Sequence, residues 1–75
     1  MTPNEFIEKF KTAINAGPDV QVTLETNLDS INEWDSLGMA CTISMFAEEF
    51  HVNMDYTTME SFKTVSDLMT AAGVK

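Results

Sequence analysis

Arginine is absent from this 75-residue chain, and four lysines stand against twelve acidic residues, for a net charge of −8. A nucleic-acid-binding surface needs a basic stripe to meet phosphates, so that class of partner is excluded. The single cysteine, Cys41, allows no intrachain disulfide and no cysteine-based zinc cluster. The single histidine, His51, leaves one imidazole for acid–base work. No apolar run approaches the ~18 residues that a membrane span requires. The opening "MTPNEFIEKF" lacks the basic-then-apolar layout of a signal peptide, and a cytoplasmic location is expected.

What is present is enough for one small core. Hydrophobic residues make up 44% of the chain, too many for a disordered acidic tail. At this length residues 1–75 form one domain, with a modest core and marginal stability.

The pattern along the chain is helical. Thr2-Pro3-Asn4-Glu5 carries a capping residue, a proline at the first helical position and an acid at the third. Phe6, Phe10, Ala13 and Ile14 then recur on one face. Ala16-Gly17-Pro18 is expected to end this helix, with Gly17 in the left-handed cap. Residues 19–34 read as a long connection. "VQVTLET" alternates like a strand but has no evident partner, so it is expected to be an extended loop. That loop would pin Val20, Val22, Leu24, Leu28 and Ile31 onto the helices. Loops of this length in compact domains are uncommon and often functional.

A second helix is expected from Ser36 to Phe50, with Met39, Ile43, Phe46 and Phe50 as its apolar stripe. "HVNMD" interrupts it. Thr57-Thr58-Met59-Glu60 suggests a capping box for a short helix. Thr64-Val65-Ser66-Asp67 opens a last one, with Val65, Leu68, Met69 and Ala72 inward and Gly73 as its stop. The expected fold is therefore all-α: a small four-helix bundle of three principal helices and one short one, with a long loop between the first two.

The stretch "NEWDSLGMA", residues 32–40, asks for explanation. A catalytic Ser36 would need a base within hydrogen-bond reach and an oxyanion hole. His51 lies fifteen residues on at the far end of the same expected helix, roughly 22 Å away at ~1.5 Å per residue. The chain is therefore not expected to be an enzyme. Calcium is equally disfavoured, because Ile31 and Trp34 interrupt the acids between Asp29 and Asp35 where an EF-hand needs oxygen ligands. No metal site is expected. Asp35 or Ser36 can simply cap the helix, a role worth about 1 kcal/mol. Capping leaves Leu37 unexplained: it lies off the apolar stripe and would be exposed. Trp34 is expected to pack the loop against the bundle.

"DSL" opening the second helix of a short acidic helical chain, after a long loop, resembles the acyl carrier protein family. "EEF" at 48–50 and "FKTVSDLM" at 62–69 resemble the end of that family's second helix and the start of its last, so the resemblance spans nearly the whole chain. It implies that Ser36 accepts a covalent 4′-phosphopantetheine arm from coenzyme A. A phosphopantetheinyl transferase would attach the arm, and acyl- or aminoacyl-loading and transfer enzymes would use it. It implies that Asp35, Leu37, Met39 and Ala40 form a docking surface, and that Ile43, Phe46, Phe50, Met54, Phe62 and Leu68 form a candidate acyl pocket in a monomeric carrier. The acids that typical fatty-acid carriers place after the serine are missing here, where Gly38, Met39, Ala40, Cys41 and Thr42 follow. Gly38, Cys41 and Ser44 are expected to be exposed with Leu37 and Ala40, and docking is expected to be mainly apolar. Of a fatty-acid-like or a specialised biosynthetic pathway, this points more to the specialised one. The alternative is a small acidic helical interaction module in which Ser36 is only a helix cap.

Overall fold

The computed structural model describes residues 1–74; Lys75, the last residue of the expected domain, lies outside them. Among the described residues four α-helices follow in order: α1 Pro3–Ala13, α2 Ser36–Phe50, α3 Tyr56–Glu60 and α4 Val65–Ala71. A single 3-10 turn, Leu28–Ser30, interrupts the long connection between α1 and α2. The expected all-α bundle is the fold observed. α1 packs on α2 and α4, and α3 packs on α2. The core is built from Phe6, Phe10, Leu28, Phe46, Met59, Val65 and Leu68, all fully buried.

Each helix starts where a side chain can satisfy its free amides. Thr2 and Glu5 form the expected reciprocal box at α1, and Thr64 and Asp67 form the one at α4. The short helix differs from expectation. Its cap is Asp55, whose carboxylate accepts from the Thr58 amide at 2.7 Å, and Thr57 is already inside the helix. The Thr57…Glu60 spacing matched the box by coincidence, because an aspartate two residues earlier is the stronger acceptor. These bonds shift the carboxylates they use. The Thr2 amide holds Glu5 below its ordinary value, the Thr58 amide does so for Asp55, and the Lys63 and Thr64 amides do so for Asp67. A lowered folded value means that each cap contributes fully above the ordinary carboxylate range. That contribution is lost as pH falls through the folded value.

α1 ends earlier than expected, at Ala13, and the left-handed residue is Asn15 at φ 58° rather than Gly17. The Ala16 amide reaches back to the Lys11 carbonyl at 2.9 Å, which closes the helix at Asn15. Asparagine tolerates this backbone region better than other side-chain-bearing residues. Gly73 does stop α4 in the left-handed region, at φ 85°.

The long connection is held as expected, by apolar anchors and also by backbone bonds. Leu28 and Ile31 are buried, while Val20, Val22 and Leu24 are half-buried. The Leu28 amide donates to the Lys63 carbonyl at 2.8 Å. In return the Val65 and Ser66 amides, the first two of α4, donate to the Thr26 and Leu24 carbonyls at 3.1 and 2.9 Å. The alternating stretch thus caps α4 instead of pairing as a strand; the one ladder-like contact among the described residues, Asn27 with Thr64, lies just after it.

Candidate functional site

The approach to α2 is set by Trp34. Its indole is buried and lies against Phe10, ring centroids 5.7 Å apart. This is the loop-to-bundle packing expected of it. The chain must then rise from a buried Trp34 to an exposed Ser36 within two residues. Asp35, in extended conformation, makes that step and caps α2: its Oδ1 accepts from the Gly38 amide at 2.8 Å. Ser36 is the first helical residue, and its hydroxyl is not the cap.

The same step brings the loop backbone against α2. Gly38 is buried, and a Cβ there would overlap the Glu33 carbonyl oxygen. This corrects the expected exposure of Gly38: the position has glycine because two backbone segments meet there. Cys41 is half-buried rather than exposed, whereas Leu37, Ala40 and Ser44 are exposed as expected. Leu37 keeps 72% of its surface accessible, the largest value among the big apolar residues of the chain.

The buried side of α2 also differs from the apolar count. It consists of Gly38, Thr42, Met45 and Phe46, with Met39, Ile43 and Phe50 half-buried beside them. A polar residue and a glycine do not register in a hydrophobic pattern. Thr42 is tolerated there because its hydroxyl donates to the Gly38 carbonyl at 2.8 Å. Met39, expected on the docking surface, is therefore partly turned into the bundle, leaving Asp35, Leu37 and Ala40 as the exposed members of that set.

Tyr56 joins the site from outside the sequence pattern. It opens α3, is part-exposed, and its phenol donates to Ser36 Oγ at 3.1 Å. Twenty residues separate the two, and no periodicity connects them. The one available signal was an aromatic residue directly after the Asp55 that caps a short helix. A shallow groove of about 340 Å³ is lined by Leu37 together with Ile14, Glu33 and Cys41.

His51 caps the opposite end of α2 in a left-handed conformation, φ 57°, and is exposed. The chain's one imidazole is thus a helix length away from Ser36. Among the described residues no three histidine, cysteine or acidic side chains converge as a metal site. Of the candidate acyl-pocket residues, Phe46 and Leu68 are wholly buried, while Ile43, Phe50, Met54 and Phe62 are half-buried. Phe6, Phe46 and Phe50 contact one another with centroids 5.8–6.4 Å apart, so this region is closely packed.

Fold and site together define a small all-α bundle that presents a serine hydroxyl at the exposed start of its longest helix. None of its described helices is long and apolar enough to cross a membrane. No protein-family model, curated protein or solved structure matches the chain.

Proposed function

We propose that this protein is an acyl carrier that holds acyl or aminoacyl groups as thioesters on a phosphopantetheine arm at Ser36. The observation that carries the reading is the division of labour at α2. Asp35 does the capping, so Ser36 Oγ is exposed and owes nothing to the backbone. The site suits a phosphodiester: a helix start carries free amides and partial positive charge, and Oγ stands at the outer tip of the helix. In attachment, Ser36 Oγ bonds to the phosphorus of the pantetheine phosphate and the pyrophosphate bond of coenzyme A breaks. Adenosine bisphosphate leaves, and the Oγ proton passes to a base of the transferase. With His51 at the far end of α2, that base belongs to the partner enzyme.

The arm supplies a thiol to carry the thioester; the residues of this chain position its root and offer partners a surface. Asp35, Leu37 and Ala40 are the contacts for the transferase and the loading and transfer enzymes, with Met39 behind them. The half-buried Ile43, Phe50, Met54 and Phe62 would part from Phe46 and Leu68 to shelter cargo, and methionine-rich packing permits such rearrangement. On this reading the carrier is a cytoplasmic monomer, and the acids missing after Ser36, where Gly38, Met39, Ala40, Cys41 and Thr42 follow, favour a specialised biosynthetic pathway over housekeeping fatty-acid synthesis.

The test is intact mass after incubation with coenzyme A and a broad-specificity transferase. The wild type should gain one phosphopantetheine, and Ser36→Ala should fold and gain none. Modification persisting in Ser36→Ala would reject the assignment. An unmodified wild type would favour an interaction module, for which the exposed Leu37 would be the contact.

A further inference from the structure

We propose that Tyr56 is the positioning residue for whatever phosphodiester is built on Ser36, holding the root of the arm against the start of α3. The inference rests on the carrier reading and goes beyond it, because nothing about a carried arm requires a tyrosine at this place.

The geometry is specific. The phenol oxygen lies 3.1 Å from Ser36 Oγ and donates to it. Tyr56 is held there by its own helix: Asp55 caps α3 through the Thr58 amide, and the fully buried Met59 anchors the helix in the core. The donor therefore sits on an anchored turn. Ser36 and Tyr56 are both exposed, which leaves room for a substituent on Oγ.

Attachment changes the acceptor. Ser36 Oγ loses its proton and becomes a bridging ester oxygen, a weaker acceptor than a hydroxyl. The negative charge appears on the two non-bridging oxygens of the same phosphorus, one bond further out. A phenol already within hydrogen-bond distance of Oγ can turn to one of them with little movement. Bonds to an ionised acceptor are roughly twice as strong as neutral ones. The contact between α2 and α3 should therefore tighten when Ser36 is modified, and the arm should leave the surface on the α3 side of Ser36.

The experiment compares wild type and Tyr56→Phe, each with and without the arm. The substitution removes one hydroxyl from a part-exposed ring, so the fold is retained, which far-ultraviolet circular dichroism checks. The first readout is the ³¹P resonance of the attached phosphodiester, which should move in Tyr56→Phe. The second is the stability cycle: the arm should stabilise wild type relative to Tyr56→Phe by about fivefold in the unfolding equilibrium, the difference between a charged and a neutral acceptor. A purely structural role for the ring would leave both readouts unchanged, because phenylalanine preserves it. Identical ³¹P positions and no coupling in a protein that does take the arm would overturn the role of Tyr56 and leave the carrier reading standing. Failure of wild type to take the arm at all would instead remove the carrier reading, and this inference with it.

Discussion

At its last turns α2 lays Phe46 and Phe50 against Phe6 and ends in a left-handed histidine. At its first turn the same helix shows Ser36 and Leu37 to solvent, and its only buried residue there is a glycine. One end contributes stability through aromatic volume. The other contributes little volume and depends instead on backbone placement: a carboxylate on an amide, and a glycine against a carbonyl. The difference teaches why the candidate site lies where it does. A hydroxyl offered to a partner must stand clear of the core, and only close backbone contacts can then hold it in place.

The largest effect should come from the packed end. Phe46→Ala removes a fully buried ring and should cost about 3–5 kcal/mol, read as the urea midpoint. At the other end Gly38→Ala should come next. The helix gains up to ~1 kcal/mol from the replacement, but overpacking typically costs about 1–3 kcal/mol. The obstacle is backbone, which cannot rotate away, so a net loss of about 1–2 kcal/mol is expected. A neutral or stabilised Gly38→Ala would show that the approach of Glu33 is not needed. It follows that an acid introduced at Gly38 would disturb the start of α2 rather than merely add a charge for partners to read.

Asp35→Ala should cost about 1 kcal/mol, the usual worth of a lost cap. It should also weaken phosphopantetheine transfer, because Ser36 is the next residue. Leu37→Ala should be the smallest change in stability, within about 0.5 kcal/mol. The measurement that separates the two is the rate of modification set against the melting temperature: Leu37→Ala should slow the first and leave the second. A large loss of stability would mean that Leu37 is packed in solution and that the two ends of α2 are less different than they look.

Much of the bundle is legible in the sequence. Capping boxes at Thr2 and Thr64, the periodic apolar residues of α1 and α4, and the start of α2 at Ser36 all follow from local chemistry. So does the exposure of Leu37, which the apolar stripe left out. Local rules failed where two patterns competed within a few residues, as at Asp55 and Thr57, or at Asn15 and Gly17. They also failed on α2, where Thr42 and Gly38 are buried for reasons that hydrophobicity does not measure.

The amino-acid sequence by itself determined which segments become helices, where the one histidine lies relative to Ser36, and that acids outnumber basic residues twelve to four, because these depend on neighbours along the chain and on composition. Only the tertiary structure decided that Trp34 would lie on Phe10, that the carbonyl of Glu33 would exclude a side chain at Gly38, that the loop carbonyls of Leu24 and Thr26 would cap α4, and that the Tyr56 phenol would reach Ser36. Three of these join residues far apart in the chain, and the fourth depends on the path the loop takes into α2; helix periodicity carries no information about either.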